Sequence, residues 1–188
     1  MRIPISFSIV LLCAALLQAA DQKGNAMDSI KVTIQDKPEM FLVGIAGYGS
    51  PDNMKIGDMW GRFSEVDKDI PNKINNEGTY GLMIYPPKFP NPWEFTYLAA
   101  VRVSNLNDIP IQMLGKRLPK SKYAVFSVPG GPDKIKDTYQ YAYQTWLPGS
   151  EYDAAFPFDF EFYQEEKGKQ QCASPLFVYI PIKPKSEK

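Results

Sequence analysis

A short turn that recurs along this chain limits its architecture more than any other feature. Gly49-Ser50-Pro51-Asp52 reappears as Gly130-Gly131-Pro132-Asp133, 81 residues later (130 − 49 = 81). The same offset of 81 carries Trp60 onto Tyr141, Thr79 onto Phe160 and Phe95 onto Leu176. A shared turn alone is a weak signal; a constant offset across a turn, a helical stretch and two strands is a stronger one. The spacing predicts a tandem duplication of one α+β unit.

The local patterns give that unit a form. Alternation or β-rich runs predict strands over Lys31–Gln35, Met40–Tyr48, Thr79–Tyr85 and Phe95–Val103, and again over Ile111–Leu118, Tyr123–Val128, Phe158–Tyr163 and Leu176–Ile182. Ser50-Pro51-Asp52 offers a helix start, with Ser as cap and Pro at the first helical position. Ile56, Met59, Trp60, Phe63 and Val66 follow at helical spacing. In the second half Ile135, Tyr139, Ala142, Tyr143 and Trp146 do the same, until Pro148-Gly149 stops the helix. Each half therefore reads strand–helix–strand–strand (βαββ), with module bounds near 30–105 and 106–188. Two such halves, each with one greasy sheet face, would meet as two antiparallel sheets about a pseudo-twofold axis, leaving a groove suited to a ligand.

Composition removes whole classes of chemistry. The chain has no histidine, which excludes Ser-His-Asp and Cys-His catalysis, His-based zinc sites and His-ligated haem. No metal or cofactor is implied. Its 21 basic and 21 acidic residues balance, and no basic tract with interleaved aromatics points to nucleic acid.

The N-terminus has its own signature. Met1-Arg2 precedes the apolar run Ile3–Leu17, which exits through Gln18-Ala19-Ala20. That pattern predicts a secretory signal peptide over 1–20, followed by a polar linker over 21–29, and hence a periplasmic or secreted product. Ile3–Leu17 is shorter than the ~20 residues a membrane-spanning helix needs, so no stable span is expected after cleavage. With Cys13 removed, Cys172 would remain without an intramolecular disulfide partner.

Several segments taken together resemble the GyrI-like domains, the effector-binding domains of AraC- and MerR-type regulators. In the first half these are Ile56-Gly57-Asp58-Met59-Trp60-Gly61-Arg62-Phe63, Ile70-Pro71-Asn72-Lys73-Ile74 and Glu94-Phe95-Thr96-Tyr97-Leu98. In the second they are Lys122-Tyr123-Ala124-Val125-Phe126, Trp146-Leu147-Pro148, Phe160-Glu161-Phe162-Tyr163 and Tyr179-Ile180-Pro181-Ile182-Lys183. The resemblance spans roughly Phe41–Lys183. It implies two βαββ modules flanking a groove for small, often cationic or aromatic-bearing ligands, with an acidic pocket residue matching Glu161. It also implies, for some stand-alone members, hydrolysis of small ring-strained compounds. No helix-turn-helix segment fits before residue 41, so a direct role in transcription is not expected.

Within this frame Glu161 is the leading candidate. Along Phe158–Tyr163 the three phenylalanines face one way, and Asp159, Glu161 and Tyr163 the other. By pattern alone the acidic side could simply be wet; the resemblance makes Glu161 a pocket acid. There it could pair with a cationic ligand while nearby rings add about 0.5–2 kcal/mol each. Its pKa could instead be raised for acid–base work on a bound water. Tyr80, Tyr85, Trp93, Tyr97 and Tyr163 are candidate pocket walls, and Glu94 is either a second carboxylate or a solvated strand start. Trp60 and Trp146 are assigned to core packing. Two functions stay open: capture of a small amphipathic or cationic molecule, and hydrolysis of a reactive one with Glu161 as acid and base. A protein-binding inhibitor is a weaker third.

Overall fold

A computed structural model describes residues 29–75, 77–86, 94–165 and 175–186 of the chain. The expected leader, most of the linker, Trp93 and Cys172 lie outside these residues.

Among the described residues nine antiparallel strands form one sheet: β1 (Val32–Lys37), β2 (Met40–Gly49), β3 (Gly78–Ile84), β4 (Phe95–Val103), β5 (Leu114–Leu118), β6 (Ser121–Ser127), β7 (Tyr152–Ala154), β8 (Phe158–Gln164) and β9 (Leu176–Pro184). Helix α1 (Ile56–Val66) lies between β2 and β3, and α2 (Ile135–Tyr141) between β6 and β7. The spatial order is β1-β6-β9-β8-β3-β4-β2-β5, with β7 on β9. The two expected sheets are thus a single one, because β3 and β8 pair directly along Gly78–Ile84 and join the halves. Along the chain the elements run β1, β2, α1, β3 and β4, then β5, β6, α2, β7, β8 and β9, so each helix is preceded by two strands rather than one.

Two connections show that the sheet curls. β1 and β2 are linked by Pro38-Glu39 although they stand six places apart in the sheet, and β5 and β6 are linked by Pro119-Lys120 across the same distance. Neighbouring strands are about 4.8 Å apart, so six steps across a flat sheet would cover roughly 29 Å. Three Cα–Cα steps of about 3.8 Å reach only about 11 Å. The sheet must bring its two ends together, and the β1–β6 and β2–β5 pairs meet there. Each half also lends a strand: β1 pairs with β6 and β5 with β2.

Curling explains how both faces become buried. On the concave face Leu42, Tyr80, Leu82, Leu98, Tyr123, Phe160 and Tyr179 pack on one another, with no helix among them. On the convex face α1 covers Val43, Tyr97, Ala99 and Val101 through Phe63, Met59 and Trp60. The second helix covers Phe126, Val178 and Ile180 through Ile135, Tyr139, Tyr141 and Trp146.

Local differences from expectation have physical causes. Ser50 does not cap α1: its carbonyl accepts from Asn53 and Met54, and its N–H donates to Asn53 Oδ1 at 2.8 Å, closing a turn that delays the helix to Ile56. Of Ile111–Leu118 only Leu114–Leu118 is strand, since Gln112 adopts φ 69° and turns the chain. The second helix begins with a 3₁₀ turn, Pro132–Lys134, then passes through a π-helical turn, Ala142–Trp146, before a last helical turn, Leu147–Gly149. Among the described residues no helix is long and apolar enough to cross a membrane.

Candidate functional site

Residues of odd number on β3, β4 and β8 face the helices. Gly81 stands opposite Glu161 and Met83 opposite Asp159 in the β3–β8 register. Gly81 is required there by space: a Cβ would lie 2.2 Å from Tyr97 Oη and 2.7 Å from Glu161 Oε2. The missing side chain makes the bed on which a carboxylate and a phenol meet.

Glu161 is 6% exposed and Asp159 fully buried. Tyr97 and Tyr163 both donate to Glu161 Oε2, at 3.0 and 2.8 Å, and Trp60 Nε1–H donates to Tyr97 Oη at 3.1 Å. Asp159 is held by three phenols: Tyr85 and Tyr143 donate to Oδ2 at 2.7 and 2.6 Å, and Tyr139 to Oδ1 at 3.0 Å. The two carboxylates thus sit side by side on one strand, each met by hydroxyls. Among the described residues neither is paired with a Lys or Arg.

Burial therefore dominates their titration. Loss of water pushes Glu161 up to about 7, against the lowering effect of the Tyr163 and Tyr97 hydroxyls, and Asp159 adds to the rise. Burial pushes Asp159 up to about 6, with Tyr143, Tyr85 and Tyr139 opposing it. The phenols of Tyr97, Tyr139, Tyr85, Tyr143 and Tyr163 are all driven above their ordinary range, by burial first and the carboxylates next. They stay protonated and serve as donors.

A cavity of about 670 Å³ opens beside this network, between α1 and the start of the second helix. Trp60, Gly61 and Ser64 form one wall, Pro132 another, and Thr79 and Tyr163 part of the rest. Trp60 and Tyr163 meet edge to face at 5.2 Å. Glu161 lies behind this pair, one hydrogen bond from Tyr163 and two from Trp60 through Tyr97.

The structure brings together Glu161, Tyr163, Tyr97 and, through Asp159, Tyr85. It does not bring Tyr80 or Glu94 to them. Tyr80 stands opposite Phe162 and points to the concave face, against Phe160 and Phe162. Glu94 accepts from the exposed Tyr48 at 3.0 Å, outside the network. Trp93 lies outside the described residues. Trp60 packs on the convex core as expected, and its indole also lines the cavity and feeds the hydrogen-bond chain, while Trp146 packs against Phe126 as expected. Asp159, Tyr139 and Tyr143 were not singled out by sequence. Alternation did put Asp159 on the Glu161 side, but helical spacing cannot tell a phenol that packs from one that also reaches a carboxylate. Among the described residues no group of three or more Cys, Asp or Glu side chains could hold a metal ion.

Residues 30–183 match the sequence pattern of the GyrI-like small molecule binding domain. The chain is 30% identical over 150 residues to the transcriptional regulator BrlR of Pseudomonas aeruginosa, covering 79% of this chain and 54% of BrlR. It therefore spans about half the length of that curated relative. The fold is similar to that of SAV2435 bound to tetraphenylphosphonium, with TM-score 0.63 and 22% identity over 81% of this chain and 94% of that one. It is likewise similar to the integron cassette protein VCH_CASS2 of Vibrio cholerae, with TM-score 0.61 and 17% identity over 82% and 99% of the two chains. The C-terminal domain of EcmrR gives TM-score 0.62 at 14% identity over 83% and 99%.

Proposed function

This chain belongs to the GyrI-like small-molecule-binding domain family, and from that premise we propose that it captures a cationic, aromatic-bearing molecule in the cavity beside Trp60 and Tyr163, with Glu161 as the anchoring charge. The observation that carries the reading is a buried carboxylate met, among the described residues, only by hydroxyls. Such a group is costly to ionise, and an incoming cation would supply the missing positive charge. Trp60 and Tyr163 contribute ring faces, worth about 0.5–2 kcal/mol per cation–π contact, and turn aside for closer approach. Asp159 holds Tyr85, Tyr139 and Tyr143, and so fixes the second helix against the pocket.

The halves are read as a tandem duplication. In support, β4 and β9 both span nine residues and begin 81 apart (176 − 95). The chain is read as an exported domain, and N-terminal sequencing of the mature protein tests this by a start near Asp21.

Tetraphenylphosphonium, the ligand of the SAV2435 structure, is a suitable probe by isothermal titration calorimetry. Binding is expected to weaken about tenfold per pH unit below 7, as Glu161 takes up a proton, and to weaken at least tenfold in Glu161→Gln at pH 8. An unchanged affinity in Glu161→Gln removes the anchor. A second reading, hydrolysis of a reactive small molecule, is favoured by the Glu161 pKa of about 7, which suits an acid–base group at neutral pH. Turnover by the wild type that disappears in Glu161→Gln while binding persists would establish it in place of pure capture.

A further inference from the structure

The concave face carries a second cavity, of about 230 Å³, on the opposite side of the sheet from Glu161. It lies where the ends of the sheet meet, bounded by Lys37 and Pro38 of the β1–β2 link, by Tyr80, Arg102 and Tyr179, and by Glu77. Its charges are unlike those of the first site. Arg102 donates to Glu77 Oε1 at 2.8 Å, and both side chains keep about a quarter of their surface open (27% and 28%). That pair neutralises itself. Lys37 Nζ stands 5.2 Å from the centre of the Tyr179 ring, and among the described residues no carboxylate pairs with it. Two cations and one carboxylate leave the cavity with a surplus positive charge. Among the described residues Glu77 Oε2 is buried and outside hydrogen-bond geometry, although the Tyr80 phenol lies close enough for Glu77 to raise its pKa, so a further donor beside the Arg102 pair would satisfy it.

Size and walls narrow the occupant. At ~30 Å³ per water the volume equals roughly eight waters, enough for one substituted ring. Tyr80, Phe160, Phe162 and Tyr179 are among its lining residues. We propose that this cavity is a binding site for a small aromatic carboxylate bearing a ring hydroxyl or amine. The ligand carboxylate faces Lys37, the ring lies among Tyr80 and Tyr179, and the ring O–H or N–H donates to Glu77 Oε2.

The test uses the chain carrying methyl-¹³C methionine and the probe 4-hydroxyphenylacetate. Met40 lines this cavity, whereas Met59 packs beside Trp60 in the convex core, so the two methyl signals report the two sites separately. The expected result is a saturable shift of Met40 with Met59 unmoved, binding weakened at least tenfold in Lys37→Met, restored in Lys37→Arg and retained in Glu161→Gln. Lys37 ends an edge strand, so these variants leave the core intact. Absence of a Met40 shift at millimolar probe overturns the proposal. So does equal binding by Lys37→Met, or a response confined to Met59 and lost in Glu161→Gln, which would assign the probe to the first site. Failure of tetraphenylphosphonium to bind would refute the cationic site alone and leave this one standing.

Discussion

The two faces of β8 offer a comparison within seven residues. Phe158, Phe160 and Phe162 enter the concave core, where Phe160 stacks on Tyr179 at 4.7 Å and meets Tyr123 at 5.5 Å. Asp159, Glu161 and Tyr163 enter the convex side, where buried carboxylates meet hydroxyls from β4, the second helix and neighbouring segments. One face packs rings and aliphatic side chains, with the small charged cavity at its rim. The other hides groups that water would otherwise solvate, and it can do so only because five phenols converge on them. The difference separates a face held by packing from one where two carboxylates are buried with phenol partners and, among the described residues, no paired cation.

The largest effect should come from the packing face. Phe160→Ala removes a ring at the centre of the concave cluster and is expected to destabilise the domain by about 3–5 kcal/mol, measured by urea unfolding. A loss under about 1 kcal/mol would mean that the rings repack and that the faces differ less than their contacts suggest.

The opposite sign is expected at the next residue along the strand, on the other face. Glu161 keeps its proton in the folded protein up to about pH 7, whereas an ordinary glutamate releases it near 4.5. Between those values the folded state binds more protons than the unfolded one. The associated stability is therefore fully present below about pH 4.5 and is lost as pH rises through 7, with a total of about 3 kcal/mol. Asp159, pushed up to about 6, adds a fall of the same sign ending at lower pH. Glu161→Gln should raise stability at pH 8 by up to about 3 kcal/mol and change it little at pH 4, as read from melting curves at both pH values. A variant that is less stable at pH 8 would show that the carboxylate stabilises the fold rather than waiting for a partner.

Tyr97→Phe sharpens the contrast by removing one hydroxyl and keeping the ring. The lost bonds to Glu161 and from Trp60 are expected to cost about 1–3 kcal/mol at pH 8, and the Glu161 midpoint should move up in a carboxyl-¹³C titration. A downward shift would contradict the assignment of Tyr97 as donor. The smallest effect serves as a control outside both faces. A methyl group added at Gly57 would meet nothing within 4 Å, so Gly57→Ala should stabilise α1 by about 0.5–1 kcal/mol without altering ligand affinity.

Much of this architecture was legible in the chain because its signals are local. The bounds of β4 agree with the pattern at Phe95–Val103, and the alternation along β8 assigned its two faces correctly. Sheet order was not legible, and the placement of Tyr80 depends on it. Tyr80 and Gly81 differ by one step, and only the pairing of Gly81 with Glu161 decides which of them joins the site. Trp60, Tyr139 and Tyr143 were hidden for a different reason. Their rings satisfy a helical apolar stripe, while their polar ends act on strands distant in sequence.

The exchange of β1 and β5 between halves bears on the order in which the molecule can be made. β1 leaves the ribosome well before its partner, which lies 84 to 94 residues onward (121 − 37 and 126 − 32). At roughly 5–20 residues per second, a nascent β1 waits about 4–19 s with its backbone unpaired. During that interval it is open to chaperones, proteases or a neighbouring chain, so biogenesis of this domain is gated by the synthesis of its second half.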